Sequence, residues 1–223
     1  MTGMSLELLD GFRLRAGPRE IAVPDIGQRL IALLALRRHP TRRAVIAGTL
    51  WPDKSEARAS ANLRSILWRM NGTGIVVCCG SSLGLRPETA VDVVALEEAG
   101  WSLLETGESA AKAGFEQLTR ELLPGWYEDW VIIERERLGQ LQIHFLEALV
   151  DALRRSGSYA RAIDYGMRLV AIDPLRERSQ LALIRALVDE GSLGQARRQA
   201  DRYRDLLRET FGTRAAGKAL AGK

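Results

Sequence analysis

An internal repeat of 34 residues in the C-terminal half constrains the fold more than any other feature of this sequence. The segment GSYARAIDYGMRLVAID begins at Gly157, and the segment GSLGQARRQADRYRDLL begins at Gly191. The positions that coincide at this offset are Gly157 with Gly191, Ser158 with Ser192, and Ala162 with Ala196. Because a small residue at a fixed place lets two paired helices approach closely, the repeat predicts stacked helical hairpins.

The length of this repeat is the period of tetratricopeptide units, and Pro174 is suited to open the helix between the two segments. A degenerate relative of the unit, TGESAAKAGFEQL, begins at Thr106. Between this degenerate unit and the segment from Gly157, residues 128–157 have the periodicity of one long amphipathic helix. We therefore predict that residues 91–223 form an all-α, tetratricopeptide-like helical-repeat domain, and that the sequence is wholly helical from about residue 91.

The N-terminal part has a different order of elements. Two short strand patterns flank the turn at Asp10-Gly11, and a third follows Gly17-Pro18. Three helices are predicted next: one over about 26–36, one after Thr41 as N-cap, and one from Ser55 to about Asn71. A hairpin, GIVVCCGSSLGLRP, then closes the segment. Three helices followed by a hairpin predict a winged helix-turn-helix domain over residues 1–90, in a protein that is mainly α.

Charge is distributed unevenly between these two parts. Residues 1–90 hold 13 Lys and Arg against 7 Asp and Glu, and the remainder of the chain holds 19 against 21. A basic N-terminal part is compatible with binding to nucleic acid. The sequence has neither a membrane-spanning apolar run nor a signal-peptide pattern at its start, so we expect a cytoplasmic protein without a membrane partner.

Residues that would support catalysis or metal binding do not form a recognisable pattern. His39 and His144 are isolated, and the adjacent Cys78 and Cys79 lack the spacing of a zinc site. Phosphate-binding glycine loops and nucleophile motifs are missing from the sequence. We therefore expect no enzyme activity, no cofactor and no metal, and we interpret the two cysteines as small apolar residues of a buried strand.

The third predicted helix has two distinct faces. Its apolar face consists of Ala59, Leu63, Ile66, Leu67 and Met70. A polar stripe consists of Arg58, Asn62, Ser65 and Arg69, flanked by Arg64 and Trp68. Arginine bonds guanine and asparagine bonds adenine in the major groove, so this stripe predicts a recognition helix. The alternative is a solvated surface face. Arg42, Arg43 and Arg86 are the predicted phosphate contacts.

Three motifs resemble a known family. Along the chain they are QRLIALLALRRHPTRRAVIAGTLW, LWPDKSEARASANLRSILWRMN and LLPGWYEDWVIIERERL. They resemble, in this order, the motifs of bacterial transcriptional activator domain proteins, which are related to the antibiotic regulatory activators. The resemblance implies a winged helix of response-regulator type, a tetratricopeptide-like activator domain, binding to direct repeats near promoters, and recruitment of RNA polymerase. It also places the polar stripe on the recognition helix.

The sequence is compatible with more than one oligomeric state and more than one function. The expected partner is double-stranded DNA. The protein could also form a homodimer, either in solution or only when it is bound to DNA. One alternative function is a helical-repeat adaptor for proteins whose winged helix does not bind DNA. Another is a repressor gated by a ligand or by oxidation of Cys78 and Cys79. The aromatic cluster WYEDW is interpreted as structural, since Trp126 and Trp130 share a helix face.

Overall fold

The computed structural model describes residues 3–106 and 115–212. It divides into two compact units, one of Met1–Leu96 with Arg120–Leu138 and one of Glu97–Thr119 with Gly139–Lys223. The protein is mainly helical, with a small β region near its N-terminus, which confirms the predicted fold class. The first unit ends its N-terminal stretch at Leu96 and also includes the later segment 120–138, so it is not a continuous stretch of chain. The domain boundary at residue 90 stays a prediction.

The strands lie in the first part of the chain. Within the described residues they are β1 (Met4–Glu7), β2 (Arg13–Ala16), β3 (Arg19–Glu20), β4 (Thr41–Arg42), β5 (Val76–Cys79), β6 (Ser82–Leu85) and β7 (Ala90–Val91). One sheet has the order β3-β2-β1-β7, with β1 and β7 parallel. The other has the order β4-β6-β5 and is antiparallel. The predicted turn between β1 and β2 is confirmed, since Asp10 and Gly11 both have positive φ.

The helices of the described residues follow the predicted order. They are α1 (Asp25–Arg37), α2 (Arg43–Leu50), α3 (Glu56–Met70), α4 (Asp92–Thr106), α5 (Asp129–Arg155), α6 (Tyr159–Ile172), α7 (Glu177–Glu190) and α8 (Leu193–Phe211). Short 3₁₀ turns occupy Asn71–Thr73 and Phe115–Thr119. Helices α1, α2 and α3 with the β5–β6 hairpin form the winged helix-turn-helix.

The start of α2 differs from the prediction. Thr41 is not its N-cap, because it lies in β4, paired with Leu83 of β6. Its hydroxyl donates to the carbonyl of His39 at 3.2 Å instead. Arg42 occupies the N-cap position without a side-chain hydrogen bond. Pairing with a distant strand has therefore replaced the local capping that the sequence favoured.

Asp92, at the start of α4, connects β7 to the end of β1. Its carboxylate accepts hydrogen bonds from the backbone N–H groups of Leu8 and Leu9 at 2.9–3.0 Å. Burial raises the pKa of Asp92, and these backbone hydrogen bonds only partly oppose that effect. The carboxylate thus satisfies two backbone donors where the central strand of the sheet ends.

Residues 120–128 contradict the prediction that the sequence is wholly helical from about residue 91. Leu122 forms an antiparallel bridge with Leu9, and Leu123 and Gly125 both have positive φ. Arg135 of α5 holds this segment by donating to the carbonyl oxygens of Leu122, Leu123 and Trp126 at 2.6–3.0 Å. The segment is therefore packed as part of the first unit.

The 34-residue repeat is confirmed in the second unit. Gly157 and Gly191 both have left-handed backbones, with φ of 74° and 91°. Ser158 and Ser192 follow them as N-caps with nearly equal dihedral angles, φ −83° and ψ 55° against φ −80° and ψ 53°. Each turn admits the next helix, and α7 packs against both α6 and α8. Most of the degenerate unit from Thr106 lies outside the described residues.

Candidate nucleic-acid interface

The outer face of α3 carries most of the residues predicted to contact bases. Arg58, Arg64, Ser65, Trp68 and Arg69 are exposed, while Asn62 is half-buried at the edge of this stripe. Trp68 is 81% exposed, which is unusual for a large aromatic side chain. Its indole does not close the helix against the wing. The indole and the neighbouring arginines are therefore exposed and can contact a binding partner.

The inner face of α3 fixes the orientation of this stripe. Of the predicted apolar face, Ala59, Leu63, Ile66 and Met70 are buried, and Leu67 is half-buried. Helix α1 approaches this face closely at Gly27, where a Cβ would lie 2.7 Å from Sδ of Met70. Because four residues of the apolar face are packed in the core, the cationic face on the other side of α3 points away from it.

Pairing with the wing places Arg42 and Arg43 at the start of α2. β4 pairs with β6, and the backbone N–H of Arg43 donates to the carbonyl of Ser81 at the hairpin turn. Arg42 is exposed and Arg43 is half-buried. A small cavity of about 190 Å³ between α3 and β5 is lined by both Arg43 and Arg64. The structure therefore places one predicted phosphate contact beside one predicted base contact.

The predicted burial of the two cysteines is wrong. Cys78 and Cys79 are both exposed on β5, and Nη2 of Arg43 lies 3.3 Å from Sγ of Cys78. Val76 and Val77 of the same strand are half-buried, so β5 becomes exposed only toward the hairpin turn. The β-branched run predicts a strand, but it does not show which end of that strand extends beyond the core.

Arg86 is engaged within the wing itself. Its Nε donates to the carbonyl of Gly74 at 3.0 Å, and its backbone N–H bonds the carbonyl of Ile75. The guanidinium is half-buried against Gly74. This contact joins the two ends of the hairpin, and the role of Arg86 as a phosphate contact stays a prediction.

One polar residue of this surface escaped the sequence prediction. Asn71 is exposed at the C-terminal end of α3 and lines the same cavity as Arg43 and Arg64. In the sequence it resembles a helix-ending residue, because Asn-Gly is typical of such positions. Only the packing of the wing against α3 places it next to the cationic side chains.

In the aromatic cluster WYEDW, Trp126 and Trp130 are half-buried in the first unit, while Tyr127 is 79% exposed. Trp126 precedes α5, so the prediction that the two tryptophans share a helix face is wrong. The ring of Trp126 stacks on Phe12 and meets Trp130 edge-on, with centroid distances of 6.4 Å in both pairs. Arg29 of α1 lies 5.5 Å from the Trp126 ring and forms an ion pair with Glu128. Burial acts to raise the pKa of Glu128, but the hydrogen bond and charge of Arg29 outweigh it and lower the pKa.

Within residues 3–106 and 115–212, no group of three or more His, Cys, Asp or Glu side chains is arranged to hold a metal ion. In that same part of the chain, no helix combines the length and apolar character needed to cross a bilayer.

Comparison with known proteins decides the family. The bacterial transcriptional activator domain matches residues 109–221, which is just over half of the chain. The chain belongs to the bacterial transcriptional activator domain family. The three motifs noted in the sequence thus led to the correct family, which is one of transcriptional regulators.

A curated relative of this bacterial transcriptional activator domain protein is the regulatory protein AfsR of Streptomyces coelicolor. The two are 28% identical over 188 residues, which cover 75% of this chain and 18% of AfsR. The chain therefore spans less than a fifth of that relative. Its similarity to AfsR extends beyond the matched family domain into the N-terminal half, since 75% of the chain is covered.

A solved structure with the same fold is Mycobacterium tuberculosis EmbR in complex with a low affinity phosphopeptide. It superposes with a TM-score of 0.76 and 17% identity, covering 96% of this chain and 62% of the EmbR chain. At this identity the likeness establishes the fold alone. That fold is a winged helix followed by a helical activator domain, as predicted for this bacterial transcriptional activator domain protein.

Proposed function

We propose that this protein is a sequence-specific DNA-binding transcriptional activator of the bacterial cytoplasm, acting without catalysis of its own. The first unit binds direct repeats in promoter DNA through α3, and the helical repeats contact RNA polymerase. The observation that carries the proposal is the outer face of α3, where exposed arginines flank a tryptophan that is 81% exposed. Family membership and the similarity to a named regulatory protein support it.

The chemistry of this face suits the major groove. A helix fits that groove, and guanidinium groups can form paired hydrogen bonds with O6 and N7 of guanine. Arg58 and Arg69 lie three turns apart on α3, so they would reach base pairs separated along the groove. Arg42 and Arg43, at the start of α2, are suited to the flanking phosphates, which position the domain without selecting a sequence.

The first experiment tests contact with bases. The purified protein selects duplexes from a random library, in parallel with a double variant in which Arg58 and Arg69 are changed to Ala. A matched control changes Arg197 and Arg198, two exposed arginines of α8, to Ala. We expect the wild type and the control to enrich a repeated motif and the α3 variant to lose it. Equal enrichment by all three proteins would contradict a role for α3.

A second experiment tests polymerase recruitment and dimerisation. The selected repeat is placed upstream of a weak promoter, and transcription by purified RNA polymerase is measured with and without the protein. Increased transcript, dependent on the repeat, is the expected result. Sedimentation with a one-repeat and a two-repeat duplex reports whether two copies assemble only on DNA. If transcription did not change at saturating protein concentration, recruitment of RNA polymerase would be contradicted and only DNA binding would stand.

A further inference from the structure

The cavity of about 190 Å³ between α3 and β5 has the lining of an anion site. Arg43 of α2, Arg64 of α3 and Asn71 at the end of α3 supply its polar groups. Of the described residues that line it, none is acidic. Because Arg64, Asn71 and Cys78 are exposed, the cavity is open to solvent. A small anionic group can therefore enter it.

The donors of this cavity are not engaged by acceptors of the protein. The side chains of Arg64 and Asn71 form neither a hydrogen bond nor an ion pair within residues 3–106 and 115–212. Nη2 of Arg43 lies 3.3 Å from Sγ of Cys78, and a thiol is only a weak acceptor. Two guanidinium groups that line one cavity without a counter-charge favour the binding of an anion.

The N-terminal end of α2 adds to the positive potential. Arg43 is the first residue of this helix, and the first turn contains no acidic residue. Arg42, at the N-cap, provides no side-chain hydrogen bond to the free N–H groups. The start of a helix carries partial positive charge, and anions bind well there. The helix end and the two guanidinium groups thus favour the same kind of ligand.

Arg64 lies on a different flank of α3 from the other arginines of this helix. At about 100° per residue, Arg64 and Asn71 lie within about 20° of each other around the helix axis. Arg58 and Arg69 lie about 120–160° away from them, on the other side of Trp68. The flanks of a helix in the major groove face the sugar-phosphate backbones, whereas its centre faces the base edges. Arg64 is therefore placed for the backbone on the wing side.

We propose that this cavity binds one phosphate group of the DNA backbone, held jointly by Arg43, Arg64 and Asn71. The two guanidinium groups and the side-chain amide of Asn71 donate hydrogen bonds to the phosphate oxygens. This inference rests on the proposed function and deepens it. It assigns Arg64 to a contact that fixes the position of α3 along the groove, not to the reading of a base. It also adds Asn71 to the DNA-binding residues.

Replacement of single phosphates tests the joint contact. The selected duplex is synthesised with one uncharged methylphosphonate at a time, and fluorescence anisotropy measures its affinity for the full chain. We expect one position in each repeat where the lost charge weakens wild-type binding about tenfold. Arg43→Gln and Arg64→Gln should bind the unmodified duplex more weakly, and both should reduce the loss at that same position below about twofold. Arg58→Gln, on the other flank of α3, is the matched control and should retain the tenfold loss.

Charge changes at the cavity provide a second measurement. Arg64→Lys keeps the positive charge and should retain the loss at the sensitive phosphate. Asn71→Asp places a carboxylate in the cavity and should weaken binding to specific and scrambled duplexes alike, by about tenfold. Wild-type affinity for Asn71→Asp would overturn the proposal. If a variant fails to fold by circular dichroism, the methylphosphonate series on the wild type still requires a sensitive position.

Inorganic phosphate distinguishes the DNA backbone from a free anion as the ligand. Displacement of DNA by inorganic phosphate at constant ionic strength, without any sensitive position in the duplex, would overturn the proposal in favour of a free anion. DNA binding without a position that both Arg43→Gln and Arg64→Gln make insensitive would overturn this inference alone. A wild-type protein that binds no duplex would overturn the proposed function as well.

Discussion

The ring of Phe145 in α5 lies directly over Gly100 in α4. A Cβ on Gly100 would be 2.3 Å from Cδ2 of that ring, well inside any tolerated contact. Phe145 is fully buried and cannot move aside without displacing its neighbours. Gly100 therefore sets how closely these two helices pack.

Replacement of Gly100 by Ala should destabilise the protein by about 1–3 kcal/mol, the usual cost of overpacking a core. Gly139, inside α5, is the matched control because a Cβ there meets nothing within 4 Å. We expect Gly139→Ala to stabilise by about 0.5–1 kcal/mol, since alanine favours helices. Urea unfolding of the two variants measures both effects. A neutral Gly100→Ala would mean that α4 and α5 pack less closely than described.

The ion pair of Arg29 with Glu128 should make stability depend on pH. Because the pKa of Glu128 is lowered in the folded state, the pair stabilises the protein above the ordinary glutamate pKa. That contribution is lost as the pH falls through the lower folded value. We expect Glu128→Gln to cost about 0.5–1 kcal/mol at pH 7 and progressively less below about pH 4. Unfolding curves of Glu136→Gln, an exposed site on α5, provide the control.

Arg58 and Arg42 should affect DNA binding in different ways. Arg58→Ala should cost about 1–3 kcal/mol on the selected motif and relax preference at one base pair. Arg42→Ala should weaken binding to all sequences alike and reduce the slope of log affinity against log salt by about 1. Fluorescence anisotropy at several salt concentrations, on specific and scrambled duplexes, separates these outcomes. If both variants lost the same affinity on specific and scrambled duplexes and showed the same salt slope, α3 would contact only phosphates.

The exposed thiols should react without denaturant. Cys78 and Cys79 are neighbours on a strand, so their side chains point to opposite faces, and only Cys78 contacts Arg43. We expect a bulky disulfide adduct on Cys78 to weaken DNA binding more than the same adduct on Cys79. The comparison uses Cys79→Ser and Cys78→Ser, each modified at its remaining thiol. Equal DNA affinities for the two adducts would exclude this strand as a point of redox control.

The local order of elements was largely predictable from sequence. The spacing of Leu63, Ile66 and Met70 predicted which face of α3 is buried, because helical periodicity relates residues three and four apart. The 34-residue offset predicts two equivalent units, and Gly157 and Gly191 at their starts both adopt positive φ. The roles of the stripe residues toward DNA stay predictions.

Predictions failed where a residue's environment depends on distant partners. Thr41 was expected to cap α2, but it pairs with Leu83 in β6. The apolar neighbours of Cys78 predict burial, yet Cys78 is exposed at the turn end of β5, where the half-buried part of the strand has ended. Asn71 was passed over because its neighbours along the chain suggested only the end of a helix.

The sequence by itself determined the order of the helices, the buried face of α3, the repeat and the family, since these follow from residue types at fixed short spacings. Only the tertiary structure decided that residues 120–138 join the first unit, where Leu122 pairs with Leu9 and Arg135 holds the intervening turn. It also brought Gly100 of α4 against the ring of Phe145 in α5. Contacts between residues far apart in sequence depend on how elements pack, and periodicity carries no information about that packing.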